Sequence, residues 1–460
     1  MTRRPNTEAS DDLNLKWLLD VDTEIVTIFG KSWDFQVERV LKTTLSENLQ
    51  MIHDSVKFLR SHGRRVVYDA EHFFDGFKAD SDYALSTLRA AEDAGAMRLV
   101  LCDTRGGTYP TQVHAITRSV TQQFSTPIGI HAHNDRGMAT ANSLFAVMAG
   151  ASHVQGTMNG LGERVGNADL IELIANLHLM GIKTRLQASR LTRLSTFTYE
   201  MSGLREDPFK PFVGKHAFAH KAGVHGDAVL KAEKAYEFFD PTTFGNARAI
   251  TVSSQAGRSS LLSAGKRFGF HLRKNDRRVA ALLNKVKRLE ASGCSLEFAE
   301  ASIELLFLRE LTRKRDPFQI VEWDATVRNV AGATSAHCTL KVDVEGTVLE
   351  TTANGNGPVN ALDQGLRVVL KRKFGSKFSA TLTGYRVREI DSEAATAARV
   401  AVYIDFADSH RTWTTVVSST NVMKASLDAL VDGYAYALRK SGDMKKVKRE
   451  KVRKRLRFDE

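Results

Sequence analysis

The stretch PIGIHAHNDRGMATANSLFAVMAGASHVQGTMNGLGERVGN (127–167) decides the fold. Its opening run, Pro127-Ile128-Gly129-Ile130, is short and apolar and reads as a buried strand leading into His131-Ala132-His133. A helical run over 137–149 follows, then a second strand-like run over 153–158. Strand, helix, strand at this spacing is a βαβ unit and implies a parallel sheet. Side chains two apart on a strand share a face, so His131 and His133 project together from its C-terminal end. Two imidazoles at one point suit a divalent metal; two hydrogen-bonded histidines are the plain alternative.

Working outward, the pattern repeats. Strands are expected at Glu24–Phe29, Arg65–Asp69, Arg98–Asp103, Ile128–His133 and His153–Met158, with helices between them such as Ser46–Ser61, Ser81–Ala94 and Gly137–Ala149. Polar residues cluster just after the strands: Lys31-Ser32, Glu71, Thr104, His131/His133 and Glu163. A (β/α) barrel places its active site at that end. Glu71 lies close to an aromatic pair, Phe73-Phe74; a partly desolvated carboxylate can act as acid or base, and a helix-initiating glutamate is the alternative. Thr104 ends an apolar strand, where a ligand-binding hydroxyl and a turn or cap are both open. The glycines of Asn159-Gly160-Leu161-Gly162-Glu163-Arg164-Val165-Gly166-Asn167 allow close backbone approach to a ligand, but they do not form a dinucleotide fingerprint.

The 460 residues are enough for two to three domains, and 42% hydrophobic content is ordinary for a globular protein. No run of about 18 apolar residues is present, so no membrane span is expected. Three well-separated cysteines (Cys102, Cys294, Cys338) fit a reducing, cytoplasmic setting rather than a disulfide scaffold. The net charge of +12 is uneven: residues 445–460 hold nine Lys/Arg against three Asp/Glu. Such a tail can bind polyanions, but no nucleic-acid-binding motif accompanies it, and a solvated, partly helical or disordered end is the favoured reading.

Residues 185–316 read as helical linker subdomains, with amphipathic stretches at Val279–Gly293 and Leu296–Lys314. The next segment contains an internal repeat. Its first half has strands at Phe318–Val327, His337–Val344 and Thr347–Ala353, then a helix from Pro358 to Lys373. The second has strands at Ala380–Ile390, Val400–Phe406 and Thr412–Ser418, then a helix from Asn421 to Lys440. Leu340, Val342 and Val344 alternate with Lys341, Asp343 and Glu345, so one face of that strand is apolar. Pro358 and Thr420 are expected helix openers. A duplicated βββα module suggests a paired regulatory site or a dimerisation domain. The expected domains are 1–184 (barrel-type), 185–316 (linker), 317–441 (α+β module) and 442–460 (basic tail).

Six stretches occur in one order: YDAEHFFDGFKAD (68–80), LVLCDTRGGTYP (99–110), GIHAHNDRGMATANS (129–143), QGTMNGLGERVGNADL (155–170), FAHKAGVHGDAVLK (218–231) and ANGNGPVNAL (353–362). From about Leu13 to Lys440 the chain resembles the acetyl-CoA-condensing 2-isopropylmalate, homocitrate and citramalate synthases. Glu71-His72-Phe73-Phe74-Asp75-Gly76 and Phe29-Gly30-Lys31-Ser32-Trp33 look most like the citramalate synthase branch. The resemblance implies a TIM barrel, then linker subdomains and a feedback-inhibition domain, acting as a homodimer with an amino-acid effector. It implies condensation of acetyl-CoA with pyruvate, or with another 2-oxo acid as in 2-isopropylmalate synthase. It assigns Mg, Mn or Zn to His131, His133 and Asn167. It makes Glu71, His225 and Tyr236 catalytic, with His220 as a further candidate, and gives Thr104 and Asp69 to the oxo acid. Asn159, Gly162, Glu163 and Gly166 fall to the acetyl-CoA loop, and Gly355, Asn356 and Gly357 to the regulatory site.

Two departures stand out. Arg105 replaces the asparagine usual after Asp-Thr. Only five βα units are found against the barrel's eight, and the family's Thr-Leu-Arg-Asp-Gly motif, with its catalytic Arg and metal-binding Asp, is absent. The expectation is an open sheet with two exposed edges, poorly folded and inactive over its first 180 residues as it stands. A non-catalytic protein binding an amino acid or a partner is therefore a rival reading, and a nucleic-acid binder acting through the basic tail is a second.

Overall fold

The structure is a computed structural model describing residues 1–220, 228, 232–250, 252, 257–312, 315–390, 392–409 and 411–456. Contacts divide the chain into two compact units. One is Met1–Phe218 with Phe239–Arg248; the other is Ala219–Phe238 with Ala249–Glu460.

The first unit is built on five parallel strands in chain order: β1 (Ile25–Lys31), β2 (Arg65–Glu71), β3 (Arg98–Asp103), β4 (Ile128–Ala132) and β5 (His153–Gln155). Helices Leu45–Ser61, Ser81–Asp93, Pro110–Gln123 and Ala139–Met148 connect them, as βαβ geometry requires. Their apolar stripes cover one sheet face, where Ile28, Val66, Leu99, Leu101 and Ile130 are buried. Each such side chain contributes about 1.5–3 kcal/mol when removed from water. On the other face Val67, Val100 and Cys102 form a smaller cluster.

Central β3 is buried almost throughout, whereas edge strand β1 alternates, with Ile25 and Phe29 45% and 40% exposed. The Thr2 N–H donates to the Phe29 carbonyl at 2.9 Å, covering part of that edge. Two strands end earlier than expected. β4 stops at Ala132, and His133 instead forms an isolated bridge with Asn167. β5 stops at Gln155 rather than Met158, because Thr157 bridges Asp169 and Asn159 adopts φ 58°, turning the chain away from the sheet.

In the second unit, helices Arg258–Arg267, Arg277–Ala291 and Glu300–Leu311 share a core with Ala401, Tyr403 and Val416. The repeat forms two three-stranded antiparallel meanders. With β6 (Ala219–His220) and β7 (Ala249–Ile250) a separate short pair, the first meander is β8 (Gln319–Val330), β9 (Ala333–Val344) and β10 (Thr347–Gly355). The second is β11 (Thr381–Glu389), β12 (Val400–Ala407) and β13 (Thr412–Ser419). Each is followed by a helix, Pro358–Phe374 or Val422–Leu456. Leu340, Val342 and Val344 are buried beside Val402, Ile404 and Phe406, so the two halves share one core. Pro358 opens its helix as expected, but Asn421 rather than Thr420 caps the other: its Oδ1 accepts from the N–H groups of Met423 and Lys424. That helix runs on into the basic tail. All three cysteines are free and buried. No helix among the described residues is long and apolar enough to cross a membrane.

Candidate active site at the strand ends

Strand register brings the polar residues of the first unit together. His131 on β4 is paired with Gln155 on β5 and with Cys102 on β3. His131 Nε2 lies 3.4 Å from His133 Nε2 and 3.3 Å from the Asn167 side-chain nitrogen. On the other side of the ring, His131 Nδ1 is 2.9 Å from Gln155 Oε1. Gln155 Nε2 in turn donates to Asp69 Oδ1 at 2.8 Å. Burial pushes the Asp69 carboxyl up to about 6, against the hydrogen bond from Gln155. Burial lowers the pKa of both histidines, helped by His133 at His131 and by Arg164 at His133. Both shifts favour the neutral ring, the form that a metal ion requires.

Two imidazole nitrogens sharing one ion at about 2.1 Å lie roughly 2.9–3.4 Å apart, from octahedral to tetrahedral geometry. The observed 3.4 Å separation falls in that range. His133 Nδ1 is buried with no hydrogen-bond partner. Among the described residues, no group of three or more His, Cys, Asp or Glu side chains is arranged to hold a metal. The convergent set is thus two imidazoles and one amide, and the amide turns its nitrogen, not the oxygen a metal would take, toward His131.

The glycine-rich loop presents Asn167. Gly166 has φ 88°, and a Cβ there would sit 1.9 Å from the Gly160 carbonyl oxygen; at Gly162 it would sit 2.1 Å from Asn167 Oδ1. Glycine is therefore needed at both positions for the amide to stay beside His131. Arg164, itself at φ 56°, forks onto Asp135 and also donates to the Thr104 carbonyl at 2.9 Å. Asn159 is buried, and its amide exchanges hydrogen bonds with Ser195. Glu163 is exposed.

Glu71 ends β2 in register with Lys31 of β1, and the two side chains form an ion pair. The aromatic neighbours Phe73 and Phe74 are buried in the helix-side core. Thr104 Oγ1 accepts the His72 N–H at 2.8 Å, which leaves its own proton free to donate. Arg105 is mostly exposed, 3.6 Å from Asp75 and over the Trp33 ring at 5.6 Å. Tyr236 belongs to the second unit and is 49% exposed, while His220 there bonds Glu237 at 2.9 Å. His225 lies outside the described residues. Gly355, Asn356 and Gly357 form the β10-to-helix turn, with the Asn356 N–H donating to Asn360 Oδ1 at 3.3 Å.

Of the expected residues, the structure places His131, His133 and Asn167 together and joins Asp69 to them through Gln155; Gln155, Asp135 and Arg164 were not among the residues expected. The Glu-Arg pair inside a glycine-rich run was the one available signal for Arg164. Gln155 carried none, because its importance comes from the strand beside it.

A family profile described as HMGL-like matches residues 10–198. Profiles described as homocitrate synthase post-HMGL domain-like and LeuA allosteric (dimerisation) domain match residues 212–293 and 297–438. The class is an α/β barrel-type domain followed by an α+β dimerisation domain, as the sequence led us to expect. An (R)-citramalate synthase of Aquifex aeolicus is 44% identical over 445 residues, covering 95% of this chain and 84% of that one. One from Synechocystis sp. is also 44% identical, over 455 residues, covering 95% and 83%. The chain belongs to the (R)-citramalate synthase family. A probable 2-isopropylmalate synthase of Archaeoglobus fulgidus is more distant, 28% identical over 425 residues and covering 92% and 82%.

Proposed function

We propose that this chain carries the site at which acetyl-CoA condenses with pyruvate and water to give (R)-citramalate and CoA; turnover by these residues alone requires other groups in place of the Arg and Asp of the family's absent motif. The convergence of His131, His133 and Asn167 at the strand ends, in a chain of this family, carries the reading. A divalent ion (Mg, Mn or Zn) would be held by the two imidazoles and, with the amide turned, by the Asn167 side-chain oxygen, and would polarise the ketone carbonyl of the oxo acid. The Thr104 hydroxyl, its lone pair already engaged by the His72 N–H, donates to the oxo-acid carboxylate. Asp69, which accepts a hydrogen bond from Gln155, is the second group offered to the oxo acid. Removal of the acetyl methyl proton falls to Glu71 as base; an assisting role in proton transfer for His225 and Tyr236 rests on the family resemblance alone. The loop carrying Asn159, Gly162, Glu163 and Gly166 lies against acetyl-CoA.

In this reading residues 1–184 carry the chemistry, 185–316 link, and 317–441 dimerise the chain. The turn Gly355-Asn356-Gly357 opens a helix whose first N–H groups suit the carboxylate of an amino-acid effector, isoleucine first and leucine second.

The test is CoA release from acetyl-CoA with pyruvate or 2-oxoisovalerate, before and after chelation. Pyruvate should give the higher kcat/KM, and chelator should abolish turnover. A preference for 2-oxoisovalerate would move the chain to the 2-isopropylmalate reaction; turnover indifferent to chelator would remove the metal.

A further inference from the structure

Gln155 joins two residues to which the site already gives roles. Its Nε2 is 2.8 Å from Asp69 Oδ1, and its Oε1 is 2.9 Å from His131 Nδ1. The chemistry of these groups allows one order of donors. An ionised carboxylate only accepts, so the NH₂ end of Gln155 faces Asp69. The amide oxygen then faces His131 and also only accepts, so His131 Nδ1 carries the ring proton. Nε2 is left with its lone pair, pointing at His133 and the Asn167 amide nitrogen, 3.4 and 3.3 Å away. The Asn167 N–H is a donor, so the far side of the ring agrees with the near side. The opposite tautomer would set Nε2–H against that donor and leave the Gln155 oxygen facing a bare nitrogen.

The geometry points to Gln155 as the positioning residue that fixes the tautomer of His131, so that Nε2 is presented as a ready acceptor before any ligand arrives. This rests on the proposed metal role of His131, and it makes the pair unequal. His131 is oriented from behind by a neighbouring strand, whereas His133, with Nδ1 unpartnered, takes its orientation from what binds in front. Outer partners of this type tune imidazole basicity and orientation at metal sites.

The experiment uses the full chain labelled with ¹⁵N-histidine, comparing wild type, Gln155→Leu and Gln155→Glu. Long-range ¹H–¹⁵N spectra read the tautomer of each ring, assigned with His131→Ala, and calorimetry reads the affinity for Mn²⁺ alone. Wild-type His131 should be protonated at Nδ1. Gln155→Leu should lose that preference and weaken Mn²⁺ binding about 10- to 100-fold. Gln155→Glu keeps an acceptor toward His131 and should keep the Nδ1–H form. An Nε2–H wild type, or an unchanged His131 signal in Gln155→Leu, overturns the inference. If Gln155→Leu fails to fold, an Nε2–H signal in Gln155→Glu overturns it equally. A wild type that binds no Mn²⁺ but shows Nδ1–H would sink the metal reading and leave the tautomer assignment standing.

Discussion

Arg164 and Asp135 meet through two parallel hydrogen bonds, Nε to Oδ1 at 2.8 Å and Nη2 to Oδ2 at 2.9 Å. The fork ties the loop after β5 to the loop after β4, and the same guanidinium reaches the Thr104 carbonyl at the end of β3. The pair is partly exposed, so its direct worth to stability is only about 0.2–1 kcal/mol. Its larger effect is on where Asn167 sits. Arg164→Lys keeps the charge but loses the fork. It should shift the urea midpoint little while lowering kcat/KM with pyruvate by about 10-fold or more, since misplacement by about 1 Å can cost 100-fold. Equal losses of stability and activity would assign the pair a merely structural role.

Gly166→Ala should behave differently. The residue needs φ 88°, and a Cβ would meet the Gly160 carbonyl oxygen at 1.9 Å. A left-handed L-residue alone costs about 1–2 kcal/mol, and the backbone contact forces the loop to move. The expected outcome is a lower urea midpoint together with weaker Mn²⁺ binding. Unchanged Mn²⁺ affinity would separate this loop from the proposed metal site.

What was legible in the sequence was local. β3 was read at Arg98–Asp103 to the residue, because its apolar run is buried almost throughout. His131 and His133 do lie side by side, Nε2 to Nε2 at 3.4 Å, although His133 falls just past the end of β4 and not on the strand whose two-residue period suggested it. The β9 alternation around Leu340 also held, because one face packs and the other does not. What failed was non-local. β5 was read too long because nothing near Met158 announces the Thr157–Asp169 bridge that pulls the chain away. Thr420 is the expected helix opener, but Asn421 caps the helix, its Oδ1 accepting the Met423 N–H. Gln155 was passed over because its partners lie 24 and 86 residues away in sequence and only strand register joins them.

The core of the C-terminal module gives a paired test. Leu340 is fully buried among residues of both repeats, while Lys341 next to it faces outward and pairs with Glu322 at 2.6 Å. Leu340→Ala should destabilise by about 2–5 kcal/mol. Lys341→Ala should stay within about 0.5–1 kcal/mol. Thermal unfolding of both variants would check this; similar losses would mean the strand's two faces have been exchanged.

Asp69 carries the last prediction. Its carboxyl is held up at about 6 by burial, against about 3.9 in an unfolded chain. Between those values the native state binds more protons than the unfolded state, so this residue's contribution falls as pH rises through the window. Above pH 6 the whole cost is present, on the order of 2–3 kcal/mol at most, since the carboxylate is not fully sealed from water. His131 and His133 oppose it: their lowered pKa values contribute stability that is present above about 6.5 and lost as pH falls. Asp69→Asn removes the first effect alone and keeps an acceptor for Gln155. The variant should be more stable than wild type at pH 7.5 and nearly equal to it at pH 4, measured by urea unfolding. Turnover should nevertheless fall, because an amide can also donate and so no longer dictates which way Gln155 faces. A stability gain of the same size at both pH values would mean that Asp69 does not titrate in this window, and that the buried carboxylate is not what the variant relieves.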